Sequence, residues 1–240
     1  MRICFTYSLE STAYGLTLLC RYNIKMDSVQ VSEIFCSIQG ESTWAGLPCT
    51  FVRLTGCNLR CSYCDTRYAY EGGEEMTVDA VVERCATFGV ALVEVTGGEP
   101  LIQPGCVPLV NALLARGWTV LVETNGSVWA GELPADAVKV LDFKCPGSGM
   151  ADRTDWRNVE ALTARDEVKF VIGDRTDYEW SRDIMARYQL PDRCRQVLFS
   201  AEFGKIEPRR IVKWILEDKL NVRFQLQLHK YIWPPDQRGV

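Results

Sequence analysis

The pattern of apolar and polar positions predicts an alternation of strands and helices. Short apolar runs are typical of buried strands, and apolar residues recurring every three or four positions are typical of amphipathic helices. The predicted strands are 29–38, 50–54, 91–95, 119–123, 137–143, 167–172, 196–200 and 222–227. The predicted helices are 78–88, with Thr77 as its N-cap, 106–116, 156–163, 178–188 and 208–218, which begins at a proline.

Repeated strand-helix units build a parallel sheet with α/β architecture. Such a sheet either opens into a doubly wound layer or curls into a full or partial barrel, and the pattern does not choose between them. Residues 26–240 are predicted to form a single domain. Residues 1–25 have no clean period and are predicted to be an N-terminal extension outside the fold.

Composition narrows the class of protein. The chain has 240 residues and a net charge of −4, which argues against a basic face for duplex nucleic acid. Its eleven cysteines are an odd number in a chain too long for a disulfide-stapled mini-protein. With no evident signal peptide or membrane span, we expect a cytoplasmic protein that binds neither nucleic acid directly nor a membrane.

Three cysteines lie on one loop directly after the strand 50–54. Cys57, Cys61 and Cys64 are spaced as C-x3-C-x2-C, and thiolates are the ligands of zinc or of an iron-sulfur centre. A closed zinc site needs four ligands, and the single histidine, His229, is distant in sequence. The loop therefore favours a metal centre with one position open to a substrate or cofactor. The alternatives are a zinc loop with a distant fourth ligand, or three unrelated buried cysteines.

Polar segments also follow later strands. Residues 96–100 read Thr-Gly-Gly-Glu-Pro, and glycines at a strand end allow the backbone to approach a ligand closely. Glu123 and Asp142 each stand at the end of another strand. Each of these segments has an ordinary turn as its alternative interpretation. Active sites of βα folds gather at this edge of the sheet, so the functional interpretation stays open for all of them.

The cysteine loop with Tyr63 before its last cysteine, followed by Gly-Gly-Glu-Pro, resembles the radical S-adenosylmethionine (SAM) superfamily. The segments 33–41, 64–66 and 225–230 are similar to the 7-carboxy-7-deazaguanine synthase family. The resemblance implies a partial (β/α)6 barrel with a 4Fe-4S cluster, SAM and Mg²⁺. It also implies conversion of 6-carboxy-5,6,7,8-tetrahydropterin to 7-carboxy-7-deazaguanine with loss of ammonia, in the biosynthesis of queuosine and other deazapurines.

The resemblance also implies the site residues. The cluster ligands are Cys57, Cys61 and Cys64, and Thr66 is the Mg²⁺ ligand. The SAM contacts are Tyr63, Cys64, Asp65, Gly97, Gly98, Glu99, Lys144, Cys145, Pro146 and Ser200. The substrate contacts are Ile38, Gln39, Gly40, Glu41, Arg53, Thr96 and Gln227. His229 is the candidate for proton transfer. Without the family resemblance, His229 would be interpreted as a structural hydrogen-bond donor, Arg53 as a surface strand residue and Thr66 as an ordinary loop residue.

The family further implies a flavodoxin or ferredoxin as electron donor and a homodimer. One rival function is that of a glycyl-radical-enzyme activating enzyme, which shares the cysteine loop. The segments Gln39-Gly40-Glu41 and His229-Lys230 argue against it. A rival of another class is a zinc-binding interaction module, from which analysis of iron and acid-labile sulfide would distinguish the chain.

Overall fold

A computed structural model describes residues 27–240, so the predicted extension 1–25 lies outside the described residues. The strands are β1 (Ser28–Ile38), β2 (Pro48–Leu54), β3 (Glu74–Thr77), β4 (Leu92–Gly97), β5 (Thr119–Thr124), β6 (Val138–Asp142), β7 (Glu167–Ile172), β8 (Gln196–Ala201) and β9 (Arg223–Gln225). The helices are α1 (Val78–Ala86), α2 (Cys106–Ala115), α3 (Arg175–Arg187), α4 (Leu190–Arg193), α5 (Pro208–Asp218) and α6 (His229–Ile232). Short 3-10 turns lie at Arg67–Tyr70, Pro100–Ile102, Pro146–Ser148, Ala151–Arg153 and Trp156–Val159.

The strands form one sheet in the order β3-β1-β2-β4-β5-β6-β7-β8-β9. β1 is antiparallel to both β2 and β3, and the remaining pairings, from β2 through β4 to β9, are parallel. The sheet curves, because the segment after β1 reaches the opposite edge: Leu228 N–H donates to the Gly40 carbonyl over 2.9 Å. A curved, mostly parallel sheet with two unpaired edges is a partial barrel.

Two apolar layers hold this barrel together. The larger layer lies between the sheet and the outer helices, where α2 buries Leu109 and Leu113 and α5 buries Ile211 and Ile215 at helical spacing. A smaller cluster of Cys49, Phe51, Leu92, Leu121 and Val138 lies on the other face of the sheet. The inner face therefore changes along the strands, from this apolar cluster to polar side chains towards their carboxyl ends.

Most predicted elements are confirmed with small shifts at their ends, and Thr77 caps α1 by accepting from Ala80 N–H over 3.2 Å. The predicted helix 156–163 is wrong, because only a 3-10 turn forms at Trp156–Val159. Its Asn158 is fully buried and bonds to the carbonyls of Gly126 and Val128. That tertiary anchor fixes the chain as a turn.

Three further details were not foreseen. The predicted strand 222–227 is limited to Arg223–Gln225, so Gln227 lies beyond it. His229 was predicted at a strand end and instead begins the short helix α6. β3 had no sequence-based prediction. Among residues 27–240, no helix has the length and apolar character needed to cross a bilayer.

Candidate active site

A cavity of about 800 Å³ opens where the cysteine loop, the strand ends and the C-terminal segment meet. Seventeen of the site residues implied by the resemblance line it, and they come from separate parts of the chain. They are Ile38, Gln39, Gly40, Glu41, Arg53, Cys57, Cys61, Tyr63, Cys64, Asp65, Thr66, Thr96, Gly97, Gly98, Lys144, Gln227 and His229. The fold thus brings most of the predicted site to one place.

The cysteine loop faces this cavity with three free thiols. Cys57, Cys61 and Cys64 are each partly exposed, and none of the nine cysteines within residues 27–240 is disulfide-bonded. Burial raises the pKa of the Cys57 and Cys61 thiols, while the positive charge of Lys144 acts in the opposite direction on both. A cationic neighbour favours the thiolate form that binds iron.

Polar atoms without a partner lie beside this loop. Within the described part of the chain, the Tyr63 hydroxyl and Asp142 Oδ1 are buried without a hydrogen-bond partner. The other oxygen of Asp142 accepts from Lys144 over 2.9 Å. Buried orphan groups in a cavity wall are satisfied by a ligand or water. Three free thiols and these orphan atoms supply the kinds of donor that an iron-sulfur cluster and a neighbouring polar cofactor need.

The glycine turn after β4 is packed against the cysteine loop. A Cβ on Gly98 would lie 2.1 Å from the Gly56 carbonyl oxygen and 2.7 Å from Cys57 Cβ. Gly97 has a φ of +150°, and a Cβ there would lie 2.1 Å from the Leu54 carbonyl oxygen. Only glycine fits at these two positions, so the turn sets the position of the first cluster cysteine.

Glu99 lies beneath the turn and is fully buried. Its carboxyl accepts from Leu101 N–H, from the Thr124 hydroxyl and from Asn125 N–H, at 3.0, 2.8 and 2.7 Å. Burial raises the pKa of Glu99 to about 7. This residue was expected to contact SAM, but it lies outside the cavity lining and instead ties the glycine turn to the end of β5.

On the other side of the cavity, Glu41 is held by several donors. Gln227 Nε2 donates to one Glu41 oxygen over 2.8 Å and Lys169 Nζ to the other over 3.0 Å. Burial acts to raise the pKa of Glu41, but the charge of Lys169, helped by His229, outweighs it and holds the pKa below its usual 4.5. Glu41 is therefore an ionised acceptor facing the cavity at neutral pH.

His229 lies against the turn that carries Glu41. A Cβ on Gly40 would come within 2.2 Å of His229 Nδ1, so glycine is required for the imidazole to lie there. Burial lowers the pKa of His229 below 6.5, although the nearby Glu41 carboxylate acts in the opposite direction. A neutral imidazole can both donate and accept a proton.

Arg53 projects from β2 into the same cavity. Its Nε donates to Glu33 Oε1 over 2.8 Å, and among residues 27–240 this is the only Arg53 nitrogen that pairs with a carboxylate. The guanidinium lies over the rings of Phe35 and Tyr68, with centroid distances of 5.9 and 6.0 Å. Its terminal nitrogens thus remain available to a carboxylate, and Arg53 is not a surface strand residue.

Thr66 is placed at the mouth of the cavity. Its hydroxyl donates to Asp65 over 2.9 Å, and Asp65 in turn pairs with Lys230 over 2.5 Å. Among residues 27–240, no group of three or more His, Cys, Asp or Glu side chains is arranged to hold a single metal ion. Thr66 therefore offers one neutral oxygen beside one carboxylate.

Three more predicted SAM contacts lie outside the cavity lining. Cys145 is fully buried with its sulfur 3.3 Å from the Ser181 hydroxyl, and Pro146 is exposed at the start of a 3-10 turn. That turn is hydrogen-bonded to the cysteine loop, because Ser62 N–H donates to the Ser148 carbonyl over 3.0 Å. Ser200 is buried in β8, and its hydroxyl has no partner among the described residues.

Among the cavity residues that were not named from the sequence, two are both charged and buried. Glu94 in β4 and Lys169 in β7 are each about 4 % exposed, and both line the cavity. Each stands between two apolar residues of a buried strand, which is the pattern that could have revealed them, since a charge in a buried strand needs a partner. Glu123 and Asp142, left open between turn and function, line the same wall.

Comparison with known proteins shows which families the chain is similar to. The profile of the Radical SAM superfamily matches residues 51–189. A 7-carboxy-7-deazaguanine synthase of Koribacter versatilis is 44% identical over 228 residues, covering 88% of this chain and 100% of that protein. One from Chlorobaculum tepidum is 45% identical over 215 residues, covering 88% of this chain and 97% of that protein.

Solved structures support the fold. A crystal structure of QueE from Escherichia coli superimposes with a TM-score of 0.72 at 21% sequence identity, covering 86% of this chain and 98% of that one. The peptide-bound structure of SuiB from Streptococcus suis matches with a TM-score of 0.55 at 14% identity, covering 72% of this chain and 46% of that one. At these identities the likeness concerns the barrel alone, and it confirms the predicted fold class.

Proposed function

Because the chain belongs to the 7-carboxy-7-deazaguanine synthase family of the radical SAM superfamily, we propose that it converts 6-carboxy-5,6,7,8-tetrahydropterin to 7-carboxy-7-deazaguanine. The reaction contracts the pterin ring and expels ammonia, which makes the enzyme a carbon-nitrogen lyase. The observation that carries the proposal is the shared cavity: one space of about 800 Å³ is lined by the three free cysteines, by Glu41 and by Arg53. A cofactor and a small planar acid can meet there.

The cysteine side of the cavity would hold the cofactors. Cys57, Cys61 and Cys64 would ligate a 4Fe-4S cluster, with SAM beside it against Tyr63, Gly98 and Lys144. When bound, this pair would supply the one-electron radical chemistry needed to remove hydrogen from C6 of the pterin. The chain's own contribution is position, since the glycine turn holds Cys57 and the Lys144 charge lies next to the thiols.

The opposite side would hold the substrate. The substrate carboxylate needs a cation, and the free terminal nitrogens of Arg53 offer two donors in one plane. The amino and ring N–H groups of the pterin need an ionised acceptor, and Glu41 supplies it. Gln39, Thr96 and Gln227 line the space between these two charges. The two charged groups would fix the orientation of the ring relative to the cysteine loop.

His229 would handle a proton at the substrate edge. Expelling an amine is easier when its nitrogen is protonated, and a neutral imidazole next to Glu41 can pass a proton in either direction. The neutral state of His229 follows from its lowered pKa.

Further features of the family are part of the proposal. Thr66 would be one ligand of Mg²⁺, with substrate oxygens and water completing the shell. A flavodoxin or ferredoxin would supply the electron, and a homodimer would be the assembly. The enzyme would act in the cytoplasm and would not contact tRNA itself. Its product would enter the biosynthesis of queuosine or of another deazapurine.

The test is an anaerobic assay. The protein is reconstituted with iron and sulfide, and SAM, Mg²⁺, reductant and 6-carboxytetrahydropterin are added. Mass spectrometry then follows 7-carboxy-7-deazaguanine and 5'-deoxyadenosine. We expect deazaguanine in excess over SAM consumed, because the cofactor is regenerated.

One variant and two contrary outcomes sharpen the assay. Arg53→Lys keeps the positive charge but loses the planar pair of donors, so it should raise KM for the pterin more than it changes SAM binding. Deoxyadenosine without deazaguanine would refute the substrate assignment and leave the superfamily intact. A colourless protein that binds zinc and no iron would refute both.

A further inference from the structure

The cavity wall contains more acidic than basic side chains. Glu41, Glu94, Glu123 and Asp142 all line it, and they come from four different segments of the chain. The nearest cations on this wall are Lys144, which pairs with Asp142, and Lys169. Carboxylates this close together repel one another unless a cation or a proton separates them.

Lys169 is the centre of this cluster. Its ammonium lies 3.0 Å from Glu41 Oε2 and 3.1 Å from Asp142 Oδ2, and it also pairs with Glu123. The side chain is 5 % exposed, so the three contacts are made away from bulk water. An ammonium has three protons, which is one for each of these three carboxylates.

Glu94 is handled differently from the other three carboxylates. Its recorded partner among the described residues is the neutral amide of Gln39, which donates to Glu94 Oε2. Burial, followed by the negative charge of Glu123, raises the pKa of Glu94 well above its usual 4.5. Glu94 is thus neutralised by a proton, while the other carboxylates rely on lysine.

This arrangement connects the two sides of the cavity. On the substrate side, Lys169 holds Glu41, whose other oxygen is bound by Gln227. On the cofactor side, it holds Asp142, which also binds Lys144 next to the cysteine loop. β7 is a rigid central strand, so its lysine is a fixed reference point for Glu41, which lies on a loop.

We propose that Lys169 is a positioning residue for the reaction: it holds Glu41 ionised and oriented towards the cavity, and it acts on the substrate only through that carboxylate. This inference rests on the proposed function, because it assigns Glu41 to the pterin. Without the lysine, Glu41 would face Glu123 and Asp142 with no ammonium between them, and it would turn away or take up a proton.

The experiment measures binding and turnover in Lys169→Met. Binding of 6-carboxypterin, a stable aromatic analogue of the substrate, is followed by its fluorescence with the reconstituted holoenzyme. We expect the Kd for 6-carboxypterin and the KM for the tetrahydropterin to rise by at least about tenfold, as for the loss of a hydrogen bond to a charged group. The SAM Kd and the iron content should change much less than the pterin Kd, because Asp142 keeps its pair with Lys144. Lys169→Arg, which keeps a cation, should recover most of the affinity.

A matched control separates positioning from stability. Lys139 and Asp166 form another buried pair at 2.9 Å, with 4 % and 0 % exposure, and neither lines the cavity. Lys139→Met should therefore lower the melting temperature without changing the pterin Kd. If Lys169→Met does not fold, Lys169→Met with Glu123→Gln removes one carboxylate along with the cation, and the same rise in Kd is expected.

A double-mutant cycle tests the route through Glu41. In a Glu41→Gln background, Lys169→Met should cause little further loss of pterin affinity, because the group it positions is already altered. Wild-type affinity in Lys169→Met, or equal losses of pterin and SAM binding, would overturn the inference. If the wild type neither binds 6-carboxypterin nor turns over the pterin, the proposed function fails as well. A functional wild type with unaffected Lys169 variants refutes only the role of Lys169.

Discussion

Gly98→Ala gives the sharpest test of how the glycine turn supports the cysteine loop. The added Cβ would lie 2.1 Å from the Gly56 carbonyl oxygen, whereas real Cβ atoms essentially never approach within 3.0 Å. Backbone must therefore move by about 0.9 Å. The part that moves carries Cys57, whose Cβ would be only 2.7 Å from the new methyl group.

The cost can be estimated from packing. Forcing an extra methyl group into a filled space typically costs about 1–3 kcal/mol. For a chain of this size class each kcal/mol lowers the melting temperature by about 2–4 °C, so a fall of roughly 2–12 °C is expected. A shift of this size in one of three ligands should also lower the iron bound per chain severalfold after reconstitution.

Gly105→Ala is the matched control. Its Cβ would lie 2.1 Å from the Ser28 carbonyl oxygen, which is the same overlap, but at the start of α2 and away from the cavity lining. We expect a similar fall in melting temperature with wild-type iron content. Differential scanning fluorimetry and iron analysis give both readouts. Full iron content in Gly98→Ala, or an equal loss of iron in Gly105→Ala, would refute the reasoning.

Three further predictions concern charge, ligation and packing. Burial and Glu123 raise the pKa of Glu94 in the folded protein, so the folded protein binds the Glu94 proton more tightly than the unfolded chain does, and stability falls as pH rises above 4.5. Glu94→Gln should therefore unfold at the same urea concentration as the wild type near pH 4 and at a higher one near pH 8. Cys57→Ala should abolish iron binding, measured by iron and sulfide analysis, whereas Cys145→Ala should keep it because the Cys145 sulfur lies outside the cavity lining. Retention of iron in Cys57→Ala would exclude Cys57 as a ligand. Leu109→Ala, fully buried in α2, should cost about 2–5 kcal/mol in urea unfolding, and Leu216→Ala, 71% exposed, almost nothing; equal effects would contradict the assigned core.

The sequence alone determined the features that depend on neighbouring residues. The spacing of Cys57, Cys61 and Cys64 keeps three thiols on one loop, which the structure places in one cavity. The glycines at 97 and 98 were predicted to let the backbone approach a ligand, and the close approach in the structure is made to Leu54 and Gly56 of the chain itself. Apolar periodicity located all the strands except β3 and most of the helices, because a short segment of chain contains the whole pattern.

Only the tertiary structure decided which distant side chains meet and which way they face. Neighbouring residues of a strand point to opposite faces, so a register accurate to one residue is needed to place Lys169 inside the barrel and Lys139 outside the cavity. No local pattern contains the pairing of Lys169 with Glu41, 128 positions away. No local pattern shows the contact of Cys145 either: this residue was predicted to contact the cofactor, and in the structure its sulfur lies next to the Ser181 hydroxyl. Periodicity is a property of a segment, whereas burial and charge pairing depend on the closed sheet.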